Sequence, residues 1–177
     1  MTTFYLIRHG QTDWEDCHAR GLKGFRTDLT PLTKTGAEQI ENTAQNERLY
    51  QAKLILSSPY TRALESAAII SRITQIPLKI EFDLHEWMPD TNGNYGSEAE
   101  VWALAQDFWV HQGVHPTGET KRWESLHQLK TRVENVLLRY TNLEHVIVVC
   151  HEMVIWSITG TRGVAYGKVI EFEIPNP

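Results

Sequence analysis

Three short apolar runs, each cut off at once by polar residues, constrain this chain more than any other feature. Phe4-Tyr5-Leu6-Ile7 stops at Arg8-His9-Gly10, Leu54-Ile55-Leu56 stops at Ser57-Ser58-Pro59, and Val146 to Cys150 stops at His151. Runs of this length without alternation read as buried strands, here running directly into loops able to carry function. Between them lie helical patterns. Pro59 suits the first turn of a helix that carries Ala63, Ala67 and Ile70 on one face. Thr35-Gly36-Ala37-Glu38 has the form of a capping box, which predicts a helix from Thr35 to about Tyr50. Leu126, Leu129, Val133, Val136, Leu137 and Tyr140 recur at helical spacing, and another helix is expected from near Glu152 to Gly160. Leu78-Lys79-Ile80 and Val169 to Ile174 read as further strands, and 90–96, rich in Gly and Asn, as a loop. Strands alternating with helices predict a three-layer α/β/α sandwich around a mostly parallel central sheet.

The chain has 177 residues, 41% of them hydrophobic, enough for one sizeable core. No repeat, low-complexity segment or linker interrupts it, so a single domain over 1–177 is expected. A net charge of -5 argues against nucleic acid or an anionic membrane as partner. It leaves a small anionic substrate open, because local charge in a pocket decides that. The N-terminus lacks a basic n-region, and Val146 to Cys150 is far too short to span a bilayer. Cys17 and Cys150 show no sign of pairing, which fits a reducing, cytoplasmic setting.

The chemistry concentrates where the apolar runs end. Ligands of open α/β sheets bind at the carboxyl ends of the strands. Arg8 offers a planar fork of donors suited to phosphate. His9 offers a nitrogen nucleophile if held neutral, and Gly10 permits close backbone approach to a ligand. Taken alone, Arg-His-Gly is equally compatible with a surface turn, a lone His151 with a structural role, and Arg62 with a solvated helix face. Trp102 and Trp109, at helical spacing, read as core.

The blocks together resemble the histidine phosphatase superfamily, the phosphoglycerate mutase-like proteins. Arg8-His9-Gly10-Gln11-Thr12-Asp13-Trp14 is similar to the family's Arg-His-Gly-Glu-Thr-x-Trp opening. Asp28, Pro31, Leu32, Thr33, Gly36 and Gln39 match Asp-x-x-Pro-Leu-Thr-x-x-Gly-x-x-Gln, and Ser57-Ser58-Pro59 with Arg62 and Ala63 matches Ser-Ser-Pro-x-x-Arg-Ala. Leu84-His85-Glu86 falls where the family has Leu-x-Glu, and Val148-Val149-Cys150-His151 fits the strand before its second histidine. The resemblance implies that Arg8, Thr12, Arg62, His9 and a protonated His151 surround a phosphoryl group. It also implies that His9 is the nucleophile and that Glu86 is the acid, then the base. No cofactor or metal is implied.

The chain departs from the pattern at three places: Glu15 replaces an Asn, Glu152 replaces a Gly, and Gln11 replaces a Glu. An ionised Glu15 opposes a phosphate unless Arg20 or Lys23 neutralises it or it selects a substrate. Glu152 crowds the site unless it points away. The stretch from Glu86 to His151 is short for a mutase. The function expected is a phosphatase acting on a small phosphorylated substrate. A protein phosphatase and a non-catalytic phosphate-binding module are the alternatives. Substrate recognition is expected between Trp87 and Phe108, with Trp14, Trp87, Tyr95, Trp102 and Trp109 as candidates.

Overall fold

In the computed structural model, which describes residues 1–176, the apolar runs become the middle of one sheet. The expected domain ran on to Pro177, which lies outside the described residues. The strands are β1 (Thr2–Arg8), β2 (Leu54–Ser57), β3 (Leu78–Ile80), β4 (His145–Cys150) and β5 (Val169–Ile174), in the order β3-β2-β4-β1-β5. β5 alone runs antiparallel, on the outer side of β1. The helices are α1 (Trp14–Ala19), α2 (Lys34–Thr43), α3 (Thr61–Thr74), α4 (Glu98–Val110), α5 (Leu126–Leu138) and α6 (Glu152–Thr159). None of them is long and apolar enough to cross a membrane.

The two-residue period of the strands splits the core in two. Phe4, Leu6, Val146 and Val148 pack with Leu129 and Val133 of α5 and Val154 and Ile155 of α6. Tyr5, Ile7, Ile147 and Val149 pack on the other side with Ile40 of α2 and Ala63, Ala67 and Ile70 of α3. This is the α/β/α layering expected. Each aliphatic side chain so buried contributes about 1.5–3 kcal/mol. The central strands therefore hold the loops at their ends rigidly. Arg8 pairs with Cys150 and Ser57 with Val149, so β1, β2 and β4 finish at one level. The segments after them emerge side by side.

Two helix boundaries differ from expectation. Thr33, not Thr35, caps α2: its Oγ1 accepts from the Gly36 N–H at 2.9 Å. Gln11 fixes it there, because the Thr33 N–H donates to the Gln11 carbonyl and the Thr33 hydroxyl to Gln11 Oε1. The helix stops at Thr43, and Asn46 caps a separate 3-10 turn, Glu47–Gln51, short of the continuous helix to Tyr50. α4 corrects the core reading of its tryptophans. Its buried residue is Phe108, whereas Trp102 is 64% and Trp109 42% exposed. The apolar positions of α4 are spread around the helix, and its N-terminal half faces a cavity rather than the sheet.

Candidate active site

His9 leaves β1 with its backbone N–H tied to the Cys150 carbonyl at 3.1 Å. Its ring Nδ1 lies 2.7 Å from the Gly10 carbonyl oxygen. A carbonyl only accepts, so Nδ1 carries the proton and Nε2 keeps its lone pair. Burial first, then the positive charge of Arg62 and Arg8, pushes the ring down to about 3. At neutral pH His9 is therefore uncharged, with a lone pair at Nε2.

His151 follows β4 and is fully buried, edge-on to His9 with ring centroids 5.1 Å apart. Its Nε2 is 2.8 Å from Ser58 Oγ, the residue after β2. Ser58 Oγ accepts from the Tyr60 N–H, which leaves its own proton for Nε2. If the Ser58 hydroxyl donates to Nε2, the proton of His151 sits on Nδ1. Burial, then Arg62 and His9, holds this histidine well below the usual range. Burial and the neighbouring arginines thus oppose the imidazolium expected of His151.

Arg62, in the first turn of α3, is buried, with Nη1 3.8 Å from Asp28 Oδ1 and its guanidinium over Tyr60 and Trp14. Arg8 donates through Nη1 to the Val164 carbonyl at 2.6 Å and pairs with Glu152 Oε2 at 2.7 Å, its face 4.3 Å from the centroid of the Tyr166 ring. Four buried side-chain polar atoms have no hydrogen-bond partner among the described residues: Arg8 Nε, Thr12 Oγ1, Arg62 Nη1 and His151 Nδ1. Leaving a buried donor unpaired costs about 1–3 kcal/mol. Arg8, Thr12 and Arg62 line the same cavity as His9. Cationic and hydroxyl donors gathered beside a neutral imidazole suit the shape and charge of a phosphoryl group.

Glu86 lines this cavity too. Burial raises its pKa, against the opposing hydrogen bond that Oε1 accepts from the Trp87 N–H at 2.7 Å. Its loop hangs on one arginine of α5. Arg132 donates to the carbonyls of Asp83, His85 and Glu86 and pairs with both carboxylate oxygens of Glu124. Glu124 in turn accepts from the Met88 N–H, and its carbonyl accepts from Trp87 Nε1 at 2.7 Å. Asp28, another carboxyl group in the cavity, is raised to about 6 by burial, with Arg62 opposing.

The structure thus gathers Arg8, His9, Thr12, Arg62, Glu86 and His151 at the carboxyl ends of β1, β2 and β4. Glu15 does not join them. It is exposed on α1, and Arg20, its expected partner, pairs with Asp16. Gly10 has a further reason: a Cβ there would collide with the Gly36 backbone, so the glycine also permits loop-to-helix contact. Sequence reasoning missed Tyr166, Glu124 and Arg132. Nothing in the pattern of α5 distinguishes Arg132 from a solvated helix arginine.

A model of the histidine phosphatase superfamily (branch 1) matches residues 4–176. The uncharacterized phosphatase PhoE of Bacillus subtilis is 34% identical over 47% of this chain and 40% of its own length. The adenosylcobalamin/alpha-ribazole phosphatase of Escherichia coli is 28% identical over 85% of this chain and 74% of its own. A probable phosphoglycerate mutase, GpmB of Salmonella typhi, is 28% identical over 77% of this chain and 62% of its own. The chain thus spans between 40% and 62% of the first curated relatives it matches. Among solved structures, Bacillus stearothermophilus YhfR superposes with a TM-score of 0.75 at 21% identity, over 99% of this chain and 92% of that one. A mycobacterial glucosyl-3-phosphoglycerate phosphatase gives 0.73 at 18%, over 97% and 89%. With the family model spanning nearly all of its length and the fold in agreement, the chain belongs to the histidine phosphatase superfamily.

Proposed function

We propose that this protein is a phosphomonoesterase that carries phosphate on His9. The observation that carries this reading is the set of unpartnered donors, Arg8 Nε, Thr12 Oγ1, Arg62 Nη1 and His151 Nδ1, beside a neutral imidazole whose Nε2 is free. The donors hold the phosphoryl oxygens and stabilise the charge that spreads over them in the transition state. His9 Nε2 attacks phosphorus, the N–P bond forms and the bond to the ester oxygen breaks. Glu86, whose pKa burial raises, gives its proton to the leaving alkoxide. The resulting carboxylate takes a proton from water. The water oxygen bonds to phosphorus, the N–P bond breaks, and inorganic phosphate leaves a neutral His9 behind. The names of the phosphatase relatives support the same class of reaction.

One observation favours a binding module without catalysis: the Glu152 carboxylate already sits on Arg8. Quenching turnover at alkaline pH separates the two readings. A catalytic protein accumulates an acid-labile, base-stable phosphoenzyme that is absent from His9→Ala. A protein that binds inorganic phosphate but forms no such species under turnover conditions contradicts the catalytic reading.

A further inference from the structure

The phosphate cradle is only one corner of the cavity beside His9. The whole space is about 730 Å³, in the range that holds a drug-sized ligand. Its remaining wall is built of Trp14, Trp87, Met88, Tyr95, Val101 and Trp102. Two of these rings are left in water, Trp102 at 64% exposure and Trp14 at 41%. Large apolar rings facing water inside a concave site mark a surface that a ligand covers. The far end of α4 is anchored: Phe108 packs edge-on against Trp87 and Trp123 at 5.0 and 5.2 Å. The Trp102 wall therefore stands on a fixed base.

The charges on this wall oppose a second anion. Beyond Arg8 and Arg62, Lys23 is the one permanently cationic residue lining the cavity among the described residues. His18, the neighbouring titratable base, lies 3.7 Å from Glu98. Facing them among the described residues are the carboxyl groups of Asp28 and Glu98; Glu86, the proposed acid, adds no charge while it holds its proton. A ligand group bearing its own negative charge would have to sit among these carboxyls, and like charges brought together at an interface cost affinity.

We propose that the cavity selects phosphate monoesters of bulky, flat, uncharged alcohols and discriminates against esters that carry a second anionic group. The proposal rests on the phosphomonoesterase reading for the placement of the phosphate, and binding can test it without turnover. The flat part of the ligand stacks against Trp102, Trp14 and Tyr95, while the phosphate occupies the donors of Arg8, Thr12, Arg62 and His151.

Isothermal titration with three non-hydrolysable probes decides the matter: 2-naphthylmethylphosphonate, ethylphosphonate and propane-1,3-bisphosphonate. The naphthyl probe is expected to bind at least about 10-fold tighter than the ethyl probe, a modest return for an apolar group of that size. The bisphosphonate is expected to bind more weakly than the naphthyl probe. Trp102→Ala, at an exposed position that folding tolerates, is expected to cut the naphthyl-to-ethyl ratio about 5-fold or more. Equal affinities for the naphthyl and ethyl probes, a tighter bisphosphonate, or an unchanged ratio in Trp102→Ala overturns the proposal. Failure of the catalytic reading looks different: the naphthyl probe binds tightly, yet 2-naphthylmethyl phosphate is not hydrolysed.

Discussion

Glu152 Oε2 lies 2.7 Å from Nη1 of Arg8, and the other oxygen of the same carboxylate accepts from the Gly163 N–H at 3.0 Å. One side chain thus ties the arginine of the first strand to the loop before the last. Arg8 leaves its Nε without a hydrogen-bond partner while Glu152 offsets part of its charge. Glu152→Gln keeps an acceptor for either bond and removes the negative charge. At an effective dielectric near 20, a unit charge several Å from a phosphate is worth roughly 1–2 kcal/mol. Because Glu152 is one-third exposed, solvent screening reduces that. The Ki for inorganic phosphate is therefore expected to fall about 3- to 10-fold. A Ki that stays constant or rises means the carboxylate acts through position alone.

Arg132 holds the loop of Glu86 by three backbone carbonyls without lining the cavity itself. Acid help matters most when the leaving group is a poor one. Glu86→Gln is expected to slow an alkyl phosphate by roughly 100-fold and to spare an aryl phosphate with an acidic phenol. Arg132→Lys, which keeps the charge facing Glu124 but loses the fork, is expected to show the same selectivity in weaker form. A loss of folded protein lowers both rates equally, so equal losses on the two substrates contradict the assignment of Glu86 and Arg132.

Asp28 is raised from an ordinary 3.8 to about 6 by burial. A carboxyl group with a raised folded pKa favours the folded state while it is neutral. That contribution is complete below about pH 4 and is lost as pH rises towards 6. The difference amounts to at most about 3 kcal/mol. His9, with its lowered pKa, acts in the opposite sense, losing stability as pH falls, but it is common to parent and variant. Urea unfolding of the parent and of Asp28→Asn at pH 4 and pH 7 is expected to show the variant gaining relative stability at the higher pH. A pH-independent difference shows that the Asp28 carboxyl titrates normally.

Gly10 and Gly36 face each other so closely that a Cβ on either meets the other segment's backbone. Gly10→Ala and Gly36→Ala are each expected to cost about 1–3 kcal/mol, the usual range for overpacking. Both act on one contact, so the double variant is expected to cost less than the sum. Chemical denaturation of all four proteins measures this; strict additivity means the two loops relax independently.

The sheet and the site were legible for one physical reason. A strand buried on both faces cannot be polar, so its end shows sharply in the sequence, and β1, β2 and β4 each end within two residues of a site side chain or its partner. Helix starts were less legible because capping depends on partners elsewhere: Gln11 makes Thr33 the cap, and no local pattern announces that. Exposure on α4 is not legible because helical spacing is the same whether a ring meets a core, a cavity, as Trp102 does, or the solvent edge of a ring cluster, as Trp109 does. Arg132, Glu124 and the Arg8–Glu152 pair depend on contacts between segments remote in sequence, which spacing does not encode.

The pairing of β1 with β4 and β5 sets an order on assembly. Arg8 and its carbonyl partner Val164 are 156 positions apart, and the Gly167 N–H closes on the Arg8 carbonyl at 2.9 Å. On a nascent chain His9 is made with the first strand, and the neighbours that bury it come with the fourth and fifth. Until they arrive His9 is an ordinary solvated imidazole, half protonated near pH 6.5. Contacts this distant in sequence form slowly. The neutral form of the ring is thus imposed at the final docking step, when it loses its water.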